Sequence, residues 1–147
     1  MTEFITPHFT HSEMVFSEYA QRNDIDNEPK DPEILRNLQI LCSRMEAVRF
    51  LLGKPIRISS GYRCYDLNKA IGGSKSSAHL RGLACDFTVF GMSNYEAAVI
   101  IAESKIPFDQ LILEFSWLHF GLSLMPLRNE LLTKKSKLAP YVPGLIA

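Results

Sequence analysis

Residues 59–87 read SSGYRCYDLNKAIGGSKSSAHLRGLACDF, and this stretch changes character three times. Its first two serines end the run Pro55-Ile56-Arg57-Ile58-Ser59-Ser60, whose alternation puts Ile56 and Ile58 on one face, as in a strand. A loop and short helix are expected through Asp66, Asn68 and Ala70, closed by a turn at Gly72-Gly73-Ser74. From about Leu83 to Phe90 the residues are small or apolar again and predict a second, buried strand. His79 and Asp86 stand seven positions apart at the entry to that strand. A lone histidine is usually a satisfied polar group and a lone aspartate a cap, so the pair gains meaning only with a third partner.

Working outward, Asp31 and Pro32 have the chemistry of an N-cap and first helical residue. Apolar residues recur at Ile34, Leu35, Leu38, Leu41, Met45, Val48, Leu51 and Leu52 with helical period, up to a stop at Gly53. Upstream, Thr10-His11-Ser12-Glu13 has capping-box spacing and predicts a short helix to about Ala20. Phe4, Ile5 and Phe9 would anchor the arm before it, and Gln21 to Asp31 reads as a loop. Downstream, Ser93-Asn94-Tyr95-Glu96 predicts a helix to about Ser104. Two β-rich runs, Gln110–Glu114 and Trp117–Ser123, lie close enough for a tight hairpin, and Arg128–Lys137 reads as a polar, basic tail. No repeat or linker interrupts the chain, which predicts one α+β domain over residues 1–147, with helices packed on an antiparallel sheet.

Composition excludes several classes of function. The chain has 147 residues, enough to bury a core without staples, with 46% hydrophobic and 22% charged residues. Sixteen basic and sixteen acidic side chains cancel, so no overall field favours nucleic acid or an anionic membrane. No apolar run approaches the ~20 residues of a membrane-spanning helix. The N-terminus lacks the basic and apolar regions of a secretory signal, which predicts synthesis and folding in the cytoplasm. Cys42, Cys64 and Cys85 are odd in number and lack CxxC spacing, so free thiols are expected rather than a disulfide framework.

The hairpin supplies the third partner. His119 lies among Trp117, Leu118, Phe120 and Leu122, where an unpaired imidazole would cost on the order of 1–3 kcal/mol. His79, Asp86 and His119 form a three-ligand set suited to Zn²⁺, leaving a fourth position for water. Such chemistry needs a base and a cation. If Phe115 and Ser116 form a two-residue turn, Ile112 pairs with His119, and Glu114 projects from the same face as that histidine. Arg63 offers a planar fork for a carboxylate or oxyanion. On spacing alone the alternatives stay open: Asp86 capping a turn, Glu114 and Arg63 as solvated charges, His119 bonded to backbone. His8 and His11, in the N-terminal arm, carry no metal reading. Trp117 reads as packing and the Lys134-Lys135-Ser136-Lys137 run as solvated charge.

Taken in order, the SGYR, GGS, SxHxxGxAxD and WxH elements resemble the zinc D-Ala-D-Ala carboxypeptidase family, the M15 metallopeptidases, and in particular its small single-domain phage members. FTHSEMVFSEYA, the loop containing DNEP and the helix ending in RFLLGKP extend the resemblance over nearly the whole chain. The resemblance implies zinc ligation by His79, Asp86 and His119. It implies that Arg63 binds substrate and steadies the tetrahedral intermediate, and that Ser77 lines the same pocket. The implied fold is the small α+β one shared with the Hedgehog signalling domain. The implied reaction is hydrolysis of peptide bonds in peptidoglycan stem peptides. The family's acidic base usually lies three residues before the last histidine, where this chain has Ser116, and Glu114 is the nearest acid.

The leading expectation is therefore a monomeric zinc peptidase of D,D-carboxypeptidase or L-Ala-D-Glu endopeptidase type. It would serve as a phage endolysin made in the host cytoplasm and released to the wall through a holin. Its partner would be peptidoglycan peptide, with no nucleic acid and no membrane insertion. Two other readings are a non-catalytic zinc-containing wall-binding or virion module and a cytosolic D-Ala-D-Ala dipeptidase.

Overall fold

The structure, a computed structural model, describes residues 3–147. A small β-ribbon, β1 (Phe4–Thr6) with β2 (Phe9–Thr10), leads into α1 (His11–Val15) and α2 (Glu18–Arg22). The expected single helix to Ala20 is thus two. Phe16 adopts an extended conformation, and the Ser17 hydroxyl accepts the Ala20 amide, which restarts the helix as a second N-cap. The capping box at Thr10 and Glu13 is present with both reciprocal bonds.

The long helix α3 (Pro32–Leu52) begins at an Asp31 cap and ends at Gly53 in the left-handed region, as its sequence signals predict. It is followed by β3 (Ile56–Ser60), α4 (Tyr65–Ala70), a 3-10 turn at Ala78–Arg81, and β4 (Ala84–Val89). Helix α5 (Asn94–Glu103) starts at the Ser93 cap and leads to β5 (Gln110–Leu113) and β6 (Leu118–Gly121). The expected polar tail, Arg128–Lys137, holds a strand, β7 (Glu130–Thr133), and β8 (Val142–Pro143) follows beyond it. The run ELLT alternates too briefly to stand out beside the basic residues that follow it, yet it pairs with β5 on one side and β8 on the other.

Six strands form one sheet in the order β3-β4-β6-β5-β7-β8. All neighbours are antiparallel except β5 and β7, which run parallel. Alternation divides the strands into two faces. Cys85, Phe87 and Val89 of β4, Leu111 and Leu113 of β5, and Leu118 and Phe120 of β6 join the core with Leu38, Leu41, Met45 and Val48 of α3 and Ala97, Ala98 and Ile101 of α5. The intervening residues face the other way. Across the sheet they form a row, Ser60–Asp86–His119–Ile112–Leu132–Pro143, fixed by the strand register. A bulge between Ile58 and Ser60 sets Ser60, rather than Ser59, opposite Asp86.

Candidate metal centre

Two of the candidate ligands owe their positions to sheet register. Asp86 and His119 are direct cross-strand partners on β4 and β6. His79 arrives from the 3-10 turn. Ser77 caps that turn, its hydroxyl accepting the His79 amide at 3.3 Å, and Gly82 leaves it at φ 71°. A side chain at Gly82 would be strained there, so glycine is what lets the chain turn from His79 into β4. His79, Asp86 and His119 are all buried, and one donor atom from each lies within 4.8 Å of the others.

The donor chemistry is that of a cation site. His79 Nδ1 lies 2.7 Å from the Gly61 carbonyl oxygen. A carbonyl only accepts, so Nδ1 carries the proton and the neutral ring turns the Nε2 lone pair toward Asp86 Oδ1, 3.3 Å away. Two acceptors then face each other in a buried space. Burial holds the His79 pKa below its usual value despite the nearby Asp86 carboxylate, which disfavours resolving the clash with a proton. His119 Nδ1 is 3.0 Å from the same Asp86 oxygen. Ligand atoms about 2.1 Å from a tetrahedral zinc are ~3.4 Å apart, so the spacing and the donor set both fit that ion. Burial raises the Asp86 pKa, while positive charge or a donated hydrogen bond on the His79 and His119 rings lowers it, with the net direction downward; with the rings neutral, a bound cation would take the place of that charge.

Arg63 lies against the other Asp86 oxygen. Its Nη2 donates to Asp86 Oδ2 at 3.2 Å, its Nε to Ser60 Oγ at 3.2 Å and its Nη1 to Asn68 Oδ1 at 3.4 Å. Three of the guanidinium's five N–H groups are thereby engaged, leaving one on each terminal nitrogen. The segment carrying Arg63 is clamped by Asn27, which donates to the Val15 and Tyr62 carbonyls and accepts the Cys64 amide at 2.7 Å. Gly61 permits a close approach on the other side. A Cβ there would lie 2.3 Å from the Met14 carbonyl oxygen, which accepts the Tyr62 amide.

Glu114 ends β5. Its amide donates to the Trp117 carbonyl across the Phe115-Ser116 turn, and Ile112 pairs with His119 as the spacing predicts. Glu114 therefore lies on the metal-facing side, two residues along from Ile112. Trp117 Nε1 donates to Glu114 Oε2 at 2.9 Å. Burial and the Asp86 charge raise the Glu114 pKa above its ordinary value, while His119, the Trp117 hydrogen bond and Lys134 work in the opposite direction.

The sequence of the family described as Peptidase M15 matches residues 7–120. The chain belongs to that family. No curated protein gives a significant match. M15 peptidases are zinc-dependent, and this one gathers a His-Asp-His set able to hold a metal, which points to a metallopeptidase.

Some partners escaped the sequence reading. Ser60 belongs to the SGYR element and Asn68 to no motif, and the contact of each with Arg63 escaped because it depends on the bulge and on the α4 turn. Asn27 sits in the DNEP loop, whose resemblance was legible but whose clamp was not. Trp117 reaches the M15 site through Glu114, where packing alone was expected. Lys134, expected to be solvated, is half-buried with its Nζ 4.6 Å from the centre of the Tyr141 ring. His8 and His11 lie apart from the site, paired with Glu46 at 2.7 Å and Glu28 at 2.6 Å. The three cysteines are free, as expected.

Proposed function

We propose that the protein is a zinc peptidase that hydrolyses amide bonds in peptidoglycan stem peptides, of D,D-carboxypeptidase or L-Ala-D-Glu endopeptidase type. The observation carrying this reading is the convergence of His79 Nε2, Asp86 Oδ1 and His119 Nδ1 on the face that also bears Glu114. Zinc held by these three residues would supply Lewis acidity, polarising a carbonyl and acidifying a water ligand.

The chain's own groups would do the rest. Glu114, half-buried and with its proton affinity raised, takes a proton from the attacking water and returns it to the leaving amine. Trp117 occupies one of its oxygens and so fixes the direction of the other. Arg63 directs its two free N–H groups at the substrate carboxylate or at the oxyanion that develops during attack. Ser77, whose oxygen already accepts the His79 amide, retains its own O–H to donate to the peptide. His79 is held in orientation by the Gly61 carbonyl on its Nδ1–H, and His119 by its place on β6 opposite Asp86, so little reorganisation accompanies the reaction.

The biological setting that suits this chemistry is a phage endolysin. It would be a monomer made in the host cytoplasm and admitted to the wall by a holin, acting on wall peptide without nucleic acid or membrane insertion. Among the described residues no helix is long and apolar enough to cross a membrane. The test is turbidity loss of purified Gram-negative peptidoglycan by wild type and Glu114→Gln, with zinc content measured for both. Clearing by wild type alone at equal zinc content supports the reading. A zinc-loaded wild type that leaves sacculi intact and hydrolyses only free D-Ala-D-Ala dipeptide, or nothing, overturns it.

A further inference from the structure

Residues 121–147 lie beyond the matched part of the family, and they add β7 and β8 to the sheet edge next to β5. Register fixes where their side chains go. Ile112 lies across from Leu132, and Leu132 from Pro143. Two residues along each strand a side chain returns to the same face. Because β7 is parallel to β5 and β8 antiparallel to β7, that step brings Glu114, Lys134 and Tyr141 into one row on the face of Asp86 and His119. The Lys134 amide, bonded to the Leu113 carbonyl at 2.8 Å, ties the row together.

Lys134 fixes the Tyr141 ring. Its ammonium donates to the Ala139 carbonyl at 2.6 Å and sits 4.6 Å from the ring centre. The tyrosine itself is 52% exposed, and among the described residues nothing hydrogen-bonds its hydroxyl. Burial, Glu114 and Asp86 raise its pKa while Arg63 lowers it. The phenol, placed by register in the row of Glu114 and Lys134, keeps its proton, which makes it a donor.

We propose that Tyr141 is a substrate-binding residue of this site, its O–H donating a hydrogen bond to a carboxylate or carbonyl oxygen of the bound peptide, with Lys134 as the residue that positions the ring. The inference rests on the peptidase reading above, and it adds a contact drawn from outside the matched segment.

The test is titration calorimetry of zinc-loaded Glu114→Gln protein with the soluble pentapeptide stem, with and without Tyr141→Phe, beside kinetics of wild type and Tyr141→Phe. Phenylalanine keeps the ring over Lys134, so Tm and zinc content should be unchanged. Loss of one hydrogen bond should weaken Kd by about five- to tenfold, and raise KM or lower kcat to match. Lys134→Met should weaken binding less, be rescued by Lys134→Arg, and add little once the hydroxyl is gone. Peptide binding that depends on Tyr141 in a protein without turnover would sink the peptidase reading and keep the inference. Normal turnover with no change in Tyr141→Phe would do the reverse, and a wild type that neither binds nor cleaves would overturn both.

Discussion

The two faces of the sheet are built from alternate residues of the same strands and are held by different physics. On β4, Cys85, Phe87 and Val89 enter the core beneath α3 and α5, where what counts is apolar area and filled volume. Asp86, between them, is ringed by His79, His119 and Arg63 at 3.0–3.3 Å. There the requirement is direction, since each lone pair must meet a hydrogen-bond donor or a cation. The comparison teaches that substitutions on the helix face should be felt as stability, while those on the open face should be felt as chemistry at nearly constant stability.

The largest expected effect tests the open face. Glu114→Gln should lower kcat/KM by ~10²–10⁴-fold while zinc content and Tm stay those of wild type, as steady-state kinetics and calorimetry would show. A matching loss of stability would erase the distinction between the faces. Next comes the helix side, where Phe120 is fully buried. Phe120→Ala should cost about 3–5 kcal/mol in denaturant unfolding, with zinc stoichiometry retained in the fraction that folds.

Metal removal would link the faces, because an ion held by His79, Asp86 and His119, which come from three separate elements, would bind only the folded arrangement. Chelation should lower stability by about 2.7 kcal/mol if free zinc had stood at 100 times Kd, read as a fall in Tm. Wild type should show this fall and Asp86→Ala should not. A smaller effect is expected at Asn27, whose clamp carries Arg63. Asn27→Ala should cost on the order of 1–3 kcal/mol and raise KM as the Arg63 segment loosens.

The smallest effect is a shift in pH dependence. The Trp117 indole N–H stabilises the charged Glu114, so Trp117→Phe should raise the Glu114 pKa further. Its base form then disappears at a higher pH, and the acid limb of kcat/KM should move upward. An unmoved limb would mean that the hydrogen bond does not steer the carboxylate.

Legibility in the sequence follows the same division. Helix α3 and the hairpin pairing of Ile112 with His119 were readable because period and turn length are local quantities. His119 was readable because a polar head on a buried strand is costly and therefore conspicuous, while His79 and Asp86 joined it through their spacing and the family resemblance. The break at Phe16 was not, since Ser17 competes as a cap inside a pattern that also suits a continuous helix. Strands β7 and β8 were missed because four and two residues are too few to display alternation, and the pairing of β7 with β5 spans a long stretch of chain. The contacts of Ser60, Asn68 and Tyr141 exist only once the sheet has assembled.

The most direct test of the central claim is zinc stoichiometry by elemental analysis of wild type, His79→Ala, Asp86→Ala and His119→Ala after exposure to zinc and removal of the excess. The open face accounts for about one tightly held zinc in wild type and its loss in each variant, with folding monitored by circular dichroism. A wild type that holds no zinc, or variants that hold it as wild type does, would contradict the claim that this face is a metal centre.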